Sequence, residues 1–158
     1  MDMFRRTMLK GVGASGALAA ALATGILKPT EVLAADEWNH AAFDAKDAAG
    51  ALKGLGAATV TESKDIVLKA PDIAENGAVV QVEVVSNIPN TVSIAVMSLK
   101  NPLPLAANFE FANGALPEVQ LRVRLAETTQ VKALVKTADG KFYSAQKEVK
   151  VTVGGCGG

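Results

Sequence analysis

This sequence has very little of what chemistry usually needs. It holds one cysteine, Cys156, and one histidine, His40. A lone cysteine excludes an internal disulfide, and a lone histidine excludes a multi-histidine metal site. No Cys-x-x-Cys pair, Ser/His/Asp grouping or phosphate-binding glycine loop is written anywhere along it. Charge of one sign is missing too. Lys+Arg and Asp+Glu both number 16, and no run of five or more like charges occurs, which argues against a nucleic-acid surface. Aromatic residues make up only 4% of the 158 residues. Val and Ala dominate the apolar set, which favours a core of strands over one of large helices.

The first 34 residues read as an export signal. Phe4-Arg5-Arg6-Thr7-Met8-Leu9-Lys10 is a charged start, Gly11 to Leu27 an apolar middle, and Val32-Leu33-Ala34-Ala35 a small-residue cleavage site. The pair Arg5-Arg6 followed by Leu9 and Lys10 resembles the twin-arginine signal, with Phe4 and Met8 standing where serine and phenylalanine are usual. The middle is short and rich in Gly and Ala against a membrane span of ~20 apolar residues. Cleavage after Ala34 leaves 124 residues, and since four basic and two acidic residues go with the signal, the mature charge is −2. The expected destination is the periplasm, an oxidising compartment in which an unpaired thiol needs a reason to exist.

The mature chain, residues 35–153, predicts a short helix followed by strands. Asp44 reads as an N-cap with Asp47 three residues on, and Ala45, Ala48, Ala49, Leu52 and Leu55 recur at helical spacing until Gly54 and Gly56 end the run. The helix is expected to lie as a lid on one side. From Asp65 the period becomes two. Ile66–Lys69, the alternations Val80/Val82/Val84 and Val92/Ile94/Val96, and Asn108–Phe111 give the first strands. Glu118 to Leu125, the Val131/Ala133/Val135 set and Tyr143 to Val153 give the rest, with Asp139-Gly140 as a tight turn. The fold class expected is all-β, an antiparallel sandwich of about seven strands, with no βαβ alternation to suggest a parallel sheet.

The residues after the last strand are the most informative. Gly154, Gly155, Gly157 and Gly158 surround Cys156, so the segment 154–158 has almost no side-chain bulk and a permissive backbone. Such a segment costs much entropy to order and is expected to be a flexible arm reaching roughly 10 Å past the body. No cation lies within the arm to lower the thiol from its ordinary value of ~8.5, so activation must come from whatever site the arm enters. Placement alone leaves three readings open: a carrier or conjugation thiol, an unused free thiol, and the bridge of a disulfide-linked dimer. His40, beside Trp38 and Asn39, reads as a solvated or locally bonded residue rather than a ligand or base, since no second ligand cluster exists. Arg122 and Arg124 share the polar face of one strand, a solvated face or an anion or partner contact. Asn101-Pro102-Leu103-Pro104 and Asn87-Ile88-Pro89-Asn90 read as turn chemistry.

The ending Val151-Thr152-Val153-Gly154-Gly155-Cys156-Gly157-Gly158 resembles that of the SoxY family, the sulfur-carrying subunits of the bacterial thiosulfate-oxidising Sox system. The likeness extends to Phe43 to Leu55, Asn101-Pro102-Leu103-Pro104, Arg122-Val123-Arg124-Leu125-Ala126, and Asp139-Gly140-Lys141 before Tyr143. The resemblance implies an immunoglobulin-like sandwich paired with a second small β-protein, SoxZ. It implies that thiosulfate is joined oxidatively to Cys156 by a haem enzyme and that a manganese hydrolase then releases sulfate. In some systems a molybdenum enzyme oxidises the remaining sulfane sulfur. The chain itself would then be no enzyme and need no cofactor beyond the sulfur bound to Cys156, and once the signal is removed it would have no membrane contact. The competing reading is a structural or adhesive sandwich whose cysteine only cross-links subunits; a related carrier feeding another pathway is a third.

Overall fold

The computed structural model describes residues 39–155. The export signal expected over residues 1–34, with Arg5 and Arg6, lies outside the described residues, as do Cys156, Gly157 and Gly158. Two short helices, α1 (His40–Phe43) and α2 (Ala48–Gly54), precede nine strands. These are β1 (Val60–Glu62), β2 (Ile66–Lys69), β3 (Ile73–Asn76), β4 (Val80–Ser86), β5 (Thr91–Ser98), β6 (Leu105–Glu110), β7 (Glu118–Val123), β8 (Thr129–Thr137) and β9 (Phe142–Val153). One sheet runs β1-β9-β8-β5-β6 with β3 also on β9; the other is β2-β4-β7.

The two sheets close on each other as an immunoglobulin-like sandwich, because the period-two residues of each send one face inward. Val80, Val82 and Val84 of β4 and Val119 and Val123 of β7 meet Ile94 and Val96 of β5 and Val131, Ala133 and Val135 of β8. The large sheet is covered on its other face as well. Ala95 and Met97 of β5, Leu134 of β8 and Phe142 of β9 pack under Ala42 of α1, Ala51 of α2 and Ala57. This is why Ile94-Ala95-Val96-Met97 is buried without a break, while β4, open on one face, alternates. The expected helical lid is present at this place.

Three expectations are corrected by the structure. The helix does not start at Asp44. Asn39 caps a separate single turn by accepting from Ala42 N at 3.0 Å, and Asp44 closes that turn, donating its backbone N–H to His40 O at 2.9 Å. Asp47 is the N-cap of α2, accepting from Gly50 N at 2.6 Å. The strand count is nine where about seven were expected, since β1 and β3 carry no alternation long enough to read. And although the long pairings β5–β8, β8–β9, β5–β6, β4–β7 and β2–β4 are antiparallel, β1 and β3 both join β9 in parallel. Parallel neighbours need a long connection, and the strands β4 to β8 lie between each of these strands and β9.

Candidate functional site

The candidate site begins where β9 ends. β9 spans twelve residues and changes neighbours along its length. Phe142 to Ser144 lie between β8 and β1, the pairing with β8 runs on to Val149, and the last residues pair with β3, Ile73 opposite Lys150, Ala74 opposite Val151 and Asn76 opposite Val153. Past the end of the β8 ladder, Val151 N donates to Thr128 Oγ1 at 2.9 Å and Lys150 N to Asp72 O at 2.9 Å. The strand is therefore held to its last residue.

Gly154 and Gly155 then run through a knot of main chain. Gly77 N donates to Val153 O at 2.8 Å, Leu125 N to Gly77 O at 2.7 Å, and Gly155 N to Leu125 O at 2.8 Å. Three segments distant in sequence each bond the other two. No side chain could stand at these corners. A Cβ on Gly155 would collide with the carbonyl group of Gly77, and one on Gly154 would collide with Ala126 O. On Gly77 it would meet Leu125 O, with Val151 Cγ1 at 2.8 Å and Gly155 N at 2.9 Å. The first two glycines of the expected arm are thus set by close approach to the body. The reading of 154–158 as uniformly loose is narrowed accordingly: residues 154 and 155 are half-buried, Gly155 is hydrogen-bonded to Leu125, and Cys156, the first residue after them, lies outside the described residues.

Leu125 ties this knot to the core. Its side chain is fully buried in the inter-sheet cluster while its own N–H and C=O face the glycines. The next segments out are gripped from behind. Asn101 Nδ2 donates to Arg124 O at 2.6 Å, and Asn101 Oδ1 accepts from Ala126 N at 2.9 Å. Lys100 pairs with Glu127 at 3.1 Å beside it.

The remaining candidates stand apart from this place or contribute only main chain. His40 is exposed, its Nδ1 3.5 Å from Asp44 Oδ2 four residues on. Arg122 and Arg124 are exposed and, among the described residues, form no ion pair; Arg124 enters the site through its carbonyl alone. Among the described residues no group of three His, Cys, Asp or Glu is placed to hold a metal ion. Gly77 and the grip of Asn101 were not legible. Gly77 stands in no motif of the sequence, and nothing in a sequence shows which main chain a distant carboxamide will meet.

The family of the sulfur oxidation protein SoxY matches residues 52–156, a stretch that runs from α2 through the knot to the cysteine itself. The chain belongs to the SoxY family. Among solved structures it is similar to the sulfur carrier protein SoxY from Chlorobium limicola f thiosulfatophilum, at 40% identity and a TM-score of 0.58, over 65% of this chain and 92% of that one. A putative superoxide reductase from Thermotoga maritima shares the fold at 18% identity and a TM-score of 0.51, over 58% of this chain and 93% of that one. That second likeness speaks for the sandwich and for nothing chemical. No curated protein matches the sequence. Within the SoxY family, the resemblance first seen in the ending and in the segments around Asn101 and Arg124 has a structural counterpart: those segments converge on one another at the root of the glycine arm.

Proposed function

We propose that this protein is a periplasmic sulfur carrier, binding thiosulfate-derived and sulfane sulfur on Cys156 and presenting them to separate enzymes. The observation that carries the reading is the family match reaching Cys156, together with 40% identity to a sulfur carrier protein over nearly the whole of that chain. The chemistry balances with the catalysis supplied by others. A haem-containing conjugating enzyme withdraws two electrons as the Cys156 thiolate and the sulfane end of thiosulfate join in a new S–S bond. A manganese hydrolase then adds water across the S–S bond next to the sulfonate. Hydrogen sulfate leaves and a persulfide stays on Cys156, with no change in electron count. A molybdenum sulfane dehydrogenase would oxidise that remaining sulfur.

In this reading the protein itself is no enzyme and binds no cofactor. What supports the division of labour is the setting of the thiol. The residues on either side of Cys156 are glycines, so neither neighbour can supply a base or a cation. A segment without side-chain bulk can enter narrow sites of several shapes. Export through the Arg5-Arg6 signal and association with a SoxZ-like β-protein belong to the same proposal. The outer edges of β2, β6 and β7, unpaired among the described residues, support such a partner.

The test is the intact mass of the mature protein after incubation with thiosulfate and the partner enzymes. A sulfur-containing adduct that is lost on reduction is expected, and Cys156→Ser is expected to abolish both adduct and turnover with the melting temperature unchanged. Appearance of a disulfide-linked dimer as the only product would overturn the proposal.

A further inference from the structure

We infer that Asn101 and Gly77 are positioning residues for the carrier arm, together forming a socket that fixes where the arm leaves the body. The inference rests on the carrier reading and adds to it a reason for the Asn101 segment, which reads as turn chemistry.

The argument is one of main-chain direction. In an extended segment the N–H and C=O of one residue point to one side, and the C=O before it and the N–H after it point to the other. Leu125 sends both its groups to the arm root, donating to Gly77 O and accepting from Gly155 N. Arg124 O and Ala126 N must therefore point away, where among the described residues no strand is present to receive them. The Asn101 carboxamide takes that place, a donor for Arg124 O and an acceptor for Ala126 N, spaced as a neighbouring peptide group would be. Residues 124–126 are thus a one-residue bridge between the arm root on one side and a single side chain on the other.

Each part has a distinct task. Leu125 anchors the bridge in depth through its buried side chain. Asn101 fixes its orientation. Gly77, lacking a Cβ, lets three backbones meet, so that the last hydrogen bond before the thiol falls at Gly155, one residue from Cys156. With the root fixed there, the volume open to the thiol is small and its local concentration at a docked site is correspondingly high. A root freed back to Val153 would spread the same thiol over a larger volume.

The decisive experiment compares Asn101→Ala and Asn101→Asp with the full mature chain, reading amide exchange and sulfur delivery together. Loss of two hydrogen bonds is expected to speed exchange at the Gly155 amide by about tenfold in Asn101→Ala, with exchange at Ile94 in the core unchanged. The kcat/KM for delivery to the conjugating enzyme is expected to fall several-fold, while the rate of Cys156 with iodoacetamide stays at the wild-type value. Asn101→Asp keeps the acceptor for Ala126 N and loses the donor to Arg124 O, so both effects should be intermediate; it decides the matter if Asn101→Ala does not fold. Gly77→Ala should reproduce the Asn101→Ala pattern. Wild-type exchange at Gly155, or faster exchange with undiminished delivery, would overturn the socket. Cys156→Ser in the same delivery assay separates the two ideas. If it still turns over, the carrier reading is wrong; if it is inactive and the Asn101 variants behave as wild type, only the socket is.

Discussion

The two ends of β9 are both built around glycine, for opposite reasons. At the start, Gly140 has a φ of 79° and nothing within 4 Å of where a Cβ would be. It is there to turn the chain, and the turn is held by side chains: Thr137 bonds Asp139, and Lys141 pairs with Asp139 at 2.8 Å. At the far end Gly154 and Gly155 have no positive φ and no room for a Cβ. They are there so that main chain can bond main chain. One end of the strand is specified by torsion, the other by proximity, and substitutions should tell the two apart.

The largest expected effect probes the point where the knot meets the core. Leu125→Ala removes a fully buried side chain and should cost about 2–5 kcal/mol of unfolding free energy in a denaturant titration. A smaller loss would mean that the bridge is held by its hydrogen bonds more than by its anchor. Next comes the direct contrast between the glycines. Gly155→Ala should release the root, costing about 1 kcal/mol, the scale of the single hydrogen bond it breaks, because the chain beyond it can swing away. Protection of the Gly155 amide should disappear with it. Gly140→Asn should cost less than that, since asparagine tolerates positive φ, and should leave the Gly155 amide untouched. Equal loss of protection in both would erase the distinction.

The smallest effect concerns acidity at the starting turn. Hydrogen bonds from the Lys141 side chain and then from Thr137 hold the Asp139 carboxyl down at about 2. Its unfolded value is ~3.9, so its contribution to stability is complete above that value and is lost as pH falls through about 2. Asp139→Asn should lower the melting temperature slightly at neutral pH, where that contribution is complete, and flatten its decline across the acid window. An unchanged acid limb would show that the side chains at this end are ornamental and that torsion alone sets the turn.

Strands that alternate over five or more residues, such as β4, β8 and the body of β9, were readable because burial of one face imposes period two on the sequence. β1 and β3 were not. Val60-Thr61-Glu62 is too short for a period, and Ile73–Asn76 buries only Ala74, its place decided by β9 rather than by its own pattern. The helix start was misread because Asp44 and Asp47 are equally good caps on paper, and only the preceding turn capped by Asn39 assigns Asp44 to an end. At the arm, the bulk-free character of 154–158 was plain. That two of its glycines serve contact with Gly77 and Ala126 was hidden, since proximity to a distant backbone leaves no mark on residue type beyond the glycine itself.

One consequence follows for anyone wishing to borrow this device. The knot at the end of β9 recognises no side chain from the residues that pass through it; it asks only for two positions without a Cβ and for one N–H. Whatever peptide is spliced on after Gly155 would inherit the same point of departure. A different reactive group, a dye or an affinity handle could therefore be grafted there with its origin already surveyed to within a residue.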